Sequence, residues 1–355
     1  MVEPPFLPGR PLFGRRQLLV LGAGWGTALL AACRQGDGPA LWAVRGELPP
    51  AWASVLPAPW QLRQLDNAAA LLAEFKTTPR RGPALIALND AWVSSTPRGN
   101  WQPLPLTRSG QQPGEQSGLQ ALFGRLAPFA QPVSRLFGAP DQPARAFPWA
   151  YTPWVMVLRN RSDLARQAER GWQLLLDPSL RGRLVLPSSA RVCIELMGGD
   201  FARVQQLRRQ VLAHNDRDGL NLLLSGVAEV AVLPLRLLVP LLRRDPRLQL
   251  IWPTSGAPLS WQLLMRPAQA GPGSDWPIPW LEAMLQPPLL ANLLAAGWVP
   301  PLPFAQLQKV VDRFPPPLRP LLAPDPALLA RSWSLPPLDG RDRLALQSLW
   351  DAAAP

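Results

Sequence analysis

The chain has 355 residues, of which 47% are hydrophobic and 17% charged, so it can form one large domain or two medium ones with substantial cores. Its two cysteines exclude a disulfide-rich scaffold, and its one histidine excludes most histidine-based metal sites and argues against Ser-His-Asp catalysis. The formal net charge is +12, and the 46 prolines predict many short elements separated by rigid turns.

The N-terminus carries the pattern of an export signal. Arg15 and Arg16 precede an apolar stretch, residues 18–32, that is interrupted by glycines. This stretch is shorter than the roughly 20 residues of a membrane span and is typical of a secretory signal. It ends in Leu-Ala-Ala directly before Cys33, which resembles a bacterial lipobox. The pattern predicts a signal peptide over residues 1–32 and lipidation of Cys33; the alternative is an N-terminal membrane helix with a chance cysteine.

The N-terminal segment also bears on the export route and on the state of the two cysteines. The Arg15-Arg16 pair favours the twin-arginine route, but a Sec signal also carries basic residues there, so both routes stay open. Cleavage before Cys33 leaves a net charge of about +10. Acylation of Cys33 removes the only other thiol of the chain, so we expect no intrachain disulfide and a buried thiol at Cys193. Residues 33–38 are predicted to be a tether.

Beyond the tether, short apolar strands alternate with helices, which predicts mainly parallel sheets with helical crossovers. The predicted strands are 40–45, 60–65, 84–88, 147–158, 183–186, 230–233, 248–252 and 259–265. The predicted helices are 67–76, 164–176, one from about 189, 200–213, 218–224, the region after 275 with breaks at 287–288 and 297, 326–331 and 341–350. Residues 95–118 are polar and rich in Pro, Gly and Gln, which predicts a long surface loop.

Four stretches resemble, in the same order, parts of the periplasmic polyamine-binding proteins of ABC transporters. In residues 172–187 a Trp- and Leu-containing helix ends at Asp-Pro, and a glycine turn and a strand follow. Residues 149–152, 255–267 and 285–300 resemble a strand start, a crossing strand and a helix ending of that family. The resemblance covers residues 40–314.

The resemblance implies an α/β chain with a two-lobed type II periplasmic-binding-protein fold. Each lobe would be a mixed sheet flanked by helices, with the ligand cleft between the lobes. Lobe 1 is expected at residues 39–146 plus 262–305. Lobe 2 is expected at residues 147–261 plus 306–355.

The resemblance also implies a function: a solute-binding lipoprotein of an ABC importer, in the periplasm or on the outer face of the cytoplasmic membrane. It would close on a small organic solute and present it to a membrane permease. No enzymatic activity, cofactor, metal or nucleic-acid partner is expected, because the sequence lacks nucleotide and metal motifs and its arginines are scattered. The alternative is an accessory or scaffold lipoprotein of the same fold that has lost ligand binding.

The positions that bind polyamine in the resembled family are altered in this sequence. A polyamine needs carboxylates for its ammonium groups and aromatic faces for its methylenes. The family's acidic positions fall on Ser189 and Val192, its aromatic position on Pro234, and its crossing-strand Trp and Asp on Ser260 and Gln262. An unpaired buried ammonium costs several kcal/mol. The resemblance therefore implies the fold and transport role without the polyamine.

The remaining candidate contacts lie mostly near the carboxyl ends of strands, where α/β sheets bind ligands. Asp90 is the best anchor for a single positive charge, and a helix N-cap is an equal and compatible interpretation. Arg191 suits a carboxylate or phosphate, but a structural salt bridge is favoured; Trp92 and Trp149 are equally candidates for packing. The candidate contacts are Glu47, Asn89, Asp90, Trp92, Trp149, Ser188, Ser189, Arg191, Ser260 and Gln262.

Overall fold

The structure is a computed structural model that describes residues 38–77, 82–106, 118–215, 218–270 and 275–355. The predicted signal peptide, with Arg15 and Arg16, and the lipidation residue Cys33 lie outside these residues. Within the described ranges, no helix has the length and apolar character needed to cross a membrane.

The described residues contain ten strands. All eight predicted strands are present, and their ends differ from the prediction by one residue at most. The strands are β1 Ala40–Val44, β2 Gln61–Leu65, β3 Leu85–Asn89, β4 Ala146–Arg159, β5 Leu184–Leu186, β6 Val211–His214, β7 Val230–Pro234, β8 Leu248–Ile251, β9 Pro258–Met265 and β10 Trp333–Ser334.

The helices are short, as the proline content predicts. The α-helices are α1 Pro50–Ala53, α2 Ala68–Thr77, α3 Asp90–Val93, α4 Gly118–Gly124, α5 Gln131–Ser134, α6 Ser162–Ala165, α7 Ala190–Leu196, α8 Phe201–Gln210, α9 Gly219–Ser225, α10 Leu235–Leu242, α11 Ile278–Met284, α12 Leu289–Ala295, α13 Phe304–Val311, α14 Arg319–Leu322, α15 Pro326–Arg331 and α16 Gly340–Ala352. Short 3₁₀ helices cover Arg98–Asn100, Pro128–Ala130, Ala168–Leu176, Pro178–Leu180 and Pro316–Leu318.

Two helix predictions were wrong in part. The predicted helix 164–176 is interrupted, because Gly171 has φ +58° and ψ −136°, a conformation that glycine adopts without steric cost. The predicted helix 200–213 ends at Gln210, and the next residues form β6 because they pair in parallel with β5. His214 is the last residue of that strand and is exposed.

Strand β4 connects two mixed sheets. The strand order is β2-β1-β3-β9-β4-β7-β5-β6. The first sheet holds the parallel strands β1, β2 and β3 together with β9, which pairs antiparallel with β3 and with residues 146–153 of β4. In the second sheet, residues 154–158 of β4 pair antiparallel with β7, and β7 and β6 flank β5 in parallel. Each sheet is therefore mixed, as the resemblance implies, and not mainly parallel, as the alternation of strands and helices alone predicts.

The buried apolar side chains form two clusters that meet at the second sheet. On β4, Val155 and Val157 join the larger cluster, while Met156 and Leu158 join the smaller one on the opposite face. Cys193 is fully buried in the smaller cluster, as predicted, and its thiol donates a 3.4 Å hydrogen bond to the carbonyl of Pro187. The larger cluster continues across the first sheet, so residues 39–355 form one compact unit.

Candidate functional site

A cavity of about 600 Å³ lies beside the middle of β4 and β9, where the two sheets meet. We call it the central cavity. The ends of β3 and β7, the middle of β4 and β9, and the start of α7 all contribute lining residues. Its volume falls within the roughly 300–1,000 Å³ typical of small-molecule sites. Residues distant in sequence therefore converge on one space large enough for a small organic molecule.

Most of the candidate contacts lie at the central cavity. The two that do not line it are Ser188, whose side chain is exposed, and Trp149. Trp149 is fully buried, with its ring centroid 4.9 Å from that of Trp52 and 5.0 Å from that of Trp298. The alternation of β4 directs Trp149 into the core, so this residue packs. The candidates that line the cavity are Glu47, Asn89, Asp90, Trp92, Ser189, Arg191, Ser260 and Gln262.

Glu47 is held by two partners within the protein. Its carboxylate lies 2.6 Å from the guanidinium of Arg236 and accepts a 2.9 Å hydrogen bond from Nε2 of Gln262. The Arg236 guanidinium also lies 4.8 Å from the ring centroid of Trp298, at cation–π distance. The negative charge of Glu47 is therefore balanced inside the site and is less available to a ligand ammonium group.

Asp90 is buried at the start of α3, directly after β3, and its side chain bonds to β9. Its Oδ1 accepts a 3.0 Å hydrogen bond from the backbone N–H of Trp261 and a 3.3 Å bond from the hydroxyl of Ser260. Burial raises the pKa of Asp90 to about 6, against the opposing effect of these hydrogen bonds. The N-cap interpretation of Asp90 was wrong: Asn89 caps α3, because its Oδ1 accepts a 3.2 Å hydrogen bond from the backbone N–H of Trp92.

Arg191 and Arg343 bring positive charge to the cavity. Among the described residues, neither guanidinium has a carboxylate within 4.0 Å, so the predicted structural salt bridge of Arg191 was wrong. Nε of Arg191 is buried without a hydrogen-bond partner, and burial lowers the pKa of this guanidinium, opposed by the charges of Glu195 and Asp90. Arg343 lies on α16 and donates a long, 3.5 Å hydrogen bond to the carbonyl of Leu338.

The C-terminal segment, residues 332–353, forms one wall of the cavity. Strand β10 pairs in parallel with β9, and the Trp261 indole N–H donates a 2.9 Å hydrogen bond to Ser334 Oγ. Helix α16 packs on α7, and Arg208 lies over the Trp350 ring at 4.2 Å. This proline-rich tail carried no recognisable motif, so the sequence did not predict its lining residues: Leu335, Pro337, Leu338 and Arg343.

Apolar side chains cover much of the remaining lining. Trp92 is 39% exposed and Trp154 is half-buried, so both present ring surface that a ligand can contact. Leu237 and Leu259 add aliphatic surface. The described part of the chain contains no group of three or more His, Cys, Asp or Glu side chains arranged to hold a metal ion.

Comparison with protein-family models and with curated proteins gives no match. Solved structures do match over 89% of the chain. The spermidine/putrescine ABC transporter substrate-binding protein PotD of Streptococcus pneumoniae is 12% identical, with a TM-score of 0.69 over 98% of its length. The Tp0655 (TpPotD) lipoprotein of Treponema pallidum is 11% identical, with a TM-score of 0.60 over 99% of its length. A ferric binding protein from Campylobacter jejuni is 11% identical, with a TM-score of 0.59 over 99% of its length.

These likenesses establish the architecture. Proteins of such low identity share chain topology without necessarily sharing a ligand. The match covers 98–99% of the length of each of these neighbours, with TM-scores of 0.59–0.69. The chain therefore has the two-lobed α/β fold of the type II periplasmic binding proteins.

Proposed function

We propose that this chain is the extracytoplasmic solute-binding component of an ABC importer and that it captures a small organic solute. The central cavity carries the proposal, because polar side chains from both sheets converge on it. The fold supports it, since a neighbour of similar architecture is an ABC transporter substrate-binding protein. The role is one of binding, with no chemical step on the solute.

Capture would proceed by hinge closure of two lobes, at residues 39–146 plus 262–305 and at residues 147–261 plus 306–355. A ligand shifts such an equilibrium only through contacts that differ between the open and closed states. Groups from both proposed lobes line the cavity: Asn89 and Asp90 from the first, and Ser189 and Arg191 from the second. A solute that touches both sets would favour closure, and the closed form would be presented to a membrane permease.

We further propose that the mature protein begins at Cys33 and is held by lipid on the outer side of the cytoplasmic membrane. The apolar stretch and lipobox-like sequence before Cys33 support this location, and one neighbour of the same fold is a lipoprotein. Two signals are usually needed for stable anchoring by lipid. The signal peptide would direct export through either the twin-arginine or the Sec route.

Thermal unfolding of the mature protein tests solute capture. The probes are two amines (putrescine and spermidine), two sugars (glucose and maltose) and three organic anions (succinate, benzoate and glycerol 3-phosphate). A ligand at 100 times its Kd stabilises the folded state by about 2.7 kcal/mol. We expect at least one class to raise the Tm, with a shift that grows with concentration. A Tm that no class changes would favour the accessory-lipoprotein alternative.

A further inference from the structure

The charged residues of the central cavity do not balance one another. Five of them line it: Glu47, Asp90, Arg191, Arg236 and Arg343. Glu47 and Arg236 form an ion pair at 2.6 Å and neutralise each other. One carboxylate and two guanidinium groups remain, so the net charge offered to a ligand is positive.

The remaining carboxylate is directed into the protein. Asp90 is only 5% exposed, and its Oδ1 already accepts hydrogen bonds from the Trp261 backbone N–H and the Ser260 hydroxyl. A ligand ammonium group would have to compete with these donors to reach this oxygen. Asp90 also attracts Arg191 electrostatically, which offsets part of the positive charge without forming an ion pair. The acidic side of the cavity is thus poorly suited to a polyamine.

The two remaining guanidinium groups have unused donors. Arg191 is half-buried with its Nε N–H unsatisfied, and a buried donor without an acceptor destabilises the state that contains it. Arg343 approaches from α16, which packs against the helix that carries Arg191. The planar fork of a guanidinium matches the paired oxygens of a carboxylate or phosphoryl group.

We propose that the solute captured by the central cavity is a small organic anion whose carboxylate or phosphoryl oxygens bind Arg191 and Arg343. Its apolar part contacts Trp92, Trp154 and Leu338, which also line the cavity. This inference rests on the proposed function and specifies its substrate class. The net charge of about +10 on the mature chain acts in the same direction, because a positive field raises the local concentration of anions.

Isothermal titration calorimetry of the mature protein with succinate, benzoate, glycerol 3-phosphate, putrescine and glucose tests this assignment. We expect at least one of the three anions to bind. Arg191→Gln and Arg343→Gln should each weaken that anion about 10- to 100-fold, because each removes a charge-assisted hydrogen bond. Arg191→Lys keeps the charge but lacks the planar guanidinium fork. Its Kd for the anion should lie between that of the wild type and that of Arg191→Gln.

Arg341→Gln is the matched control, because Arg341 lies on the same helix as Arg343 and is likewise exposed, but is outside the cavity lining. It should leave the Kd unchanged, and the Tm of each variant without ligand verifies folding. Binding of putrescine or glucose alone would overturn the anion assignment while the proposed capture function stands. Anion binding that survives both cavity substitutions would overturn the roles of Arg191 and Arg343. Silence from every probe would count against the capture function itself.

Discussion

The two sides of the central cavity satisfy their charged groups differently. On one side, Glu47 is bound by Arg236 and Gln262, and Asp90 accepts donors from β9. On the other side, Arg191 and Arg343 have no carboxylate within 4.0 Å among the described residues. A carboxylate enclosed by donors offers little charge to a ligand, whereas a guanidinium without a carboxylate partner offers most of its charge. The ligand of a site is thus better inferred from which lining side chains already have ion-pair or hydrogen-bond partners in the protein than from the residue types alone.

The largest expected effect is the dependence of the free energy of unfolding on pH that Asp90 causes. Its pKa is raised to about 6 in the folded protein, above the ordinary value of 3.8, so the folded state binds the extra proton between these pH values. The free energy of unfolding contributed by Asp90 therefore falls as pH rises from about 4 to 6, by roughly 2–3 kcal/mol, and is level above that.

Asp90→Asn, a neutral mimic of the protonated acid, should remove this contribution. Urea unfolding of both proteins at pH 4, 5, 6 and 7 gives the comparison. We expect the stability of the variant, relative to wild type, to increase from pH 4 to 6 and to stay level from pH 6 to 7. Carboxylates whose pKa is lowered by arginine, such as Asp163 and Asp245, titrate in both proteins and cancel. A stability difference that is independent of pH would contradict the raised pKa of Asp90.

The next largest effect is expected at the ion pair between Glu47 and Arg236. Glu47→Gln removes the carboxylate partner of Arg236, a guanidinium whose side chain is only 20% exposed. Breaking a pair at this partial burial should cost about 1–2 kcal/mol of unfolding free energy, less than a fully buried pair would. Asp66→Asn is the control, since the Arg45–Asp66 pair is 66% and 82% exposed and should contribute 0–1 kcal/mol at most. Equal losses of unfolding free energy in the two variants would show that the Glu47–Arg236 pair stabilises the fold no more than an exposed pair does.

A smaller effect is expected where the C-terminal segment is attached. Trp350 contacts the Arg208 guanidinium at 4.2 Å and His214 at 5.3 Å between ring centroids, which fixes the end of α16. Trp350→Ala should lower stability by about 1 kcal/mol through the lost cation–π and packing contacts. It should also weaken anion binding, because Arg343 lies on the loosened helix. Leu344→Ala, at a 70% exposed position of α16, should change neither property.

Eight of the strands in the described residues were predictable because each is a short apolar run between turn residues, and such a run indicates a buried strand. Strand β6 was missed because Val211–His214 follows helix-forming residues, and only its pairing with β5 decides its conformation. Strand β10 is two residues long and too short to leave a pattern.

The site was predictable only in part. Strand-end residues such as Asn89 could be placed, because the edge of a sheet is implied by the strands themselves. Arg236 was missed because its partner Glu47 lies 189 positions away, and spatial pairing leaves no local signal. Arg343 was missed because a proline-rich tail does not indicate which surface it will cover. Asn89 and Asp90 both cap helices well, and only the fold decides which one does.

The smallest expected effect on stability is at Arg191, where the same side chain should matter most for binding. Arg191→Gln removes a half-buried guanidinium that has no ion pair with a described residue, so the unliganded protein should change by no more than about 0.5 kcal/mol. Glu47→Gln should do the reverse, lowering stability with a smaller effect on anion affinity. Urea unfolding without ligand, set beside the calorimetric Kd of each variant, separates the two roles. A large loss of stability in Arg191→Gln would mean that this guanidinium serves the fold, because a group kept for a ligand contributes little until the ligand is bound.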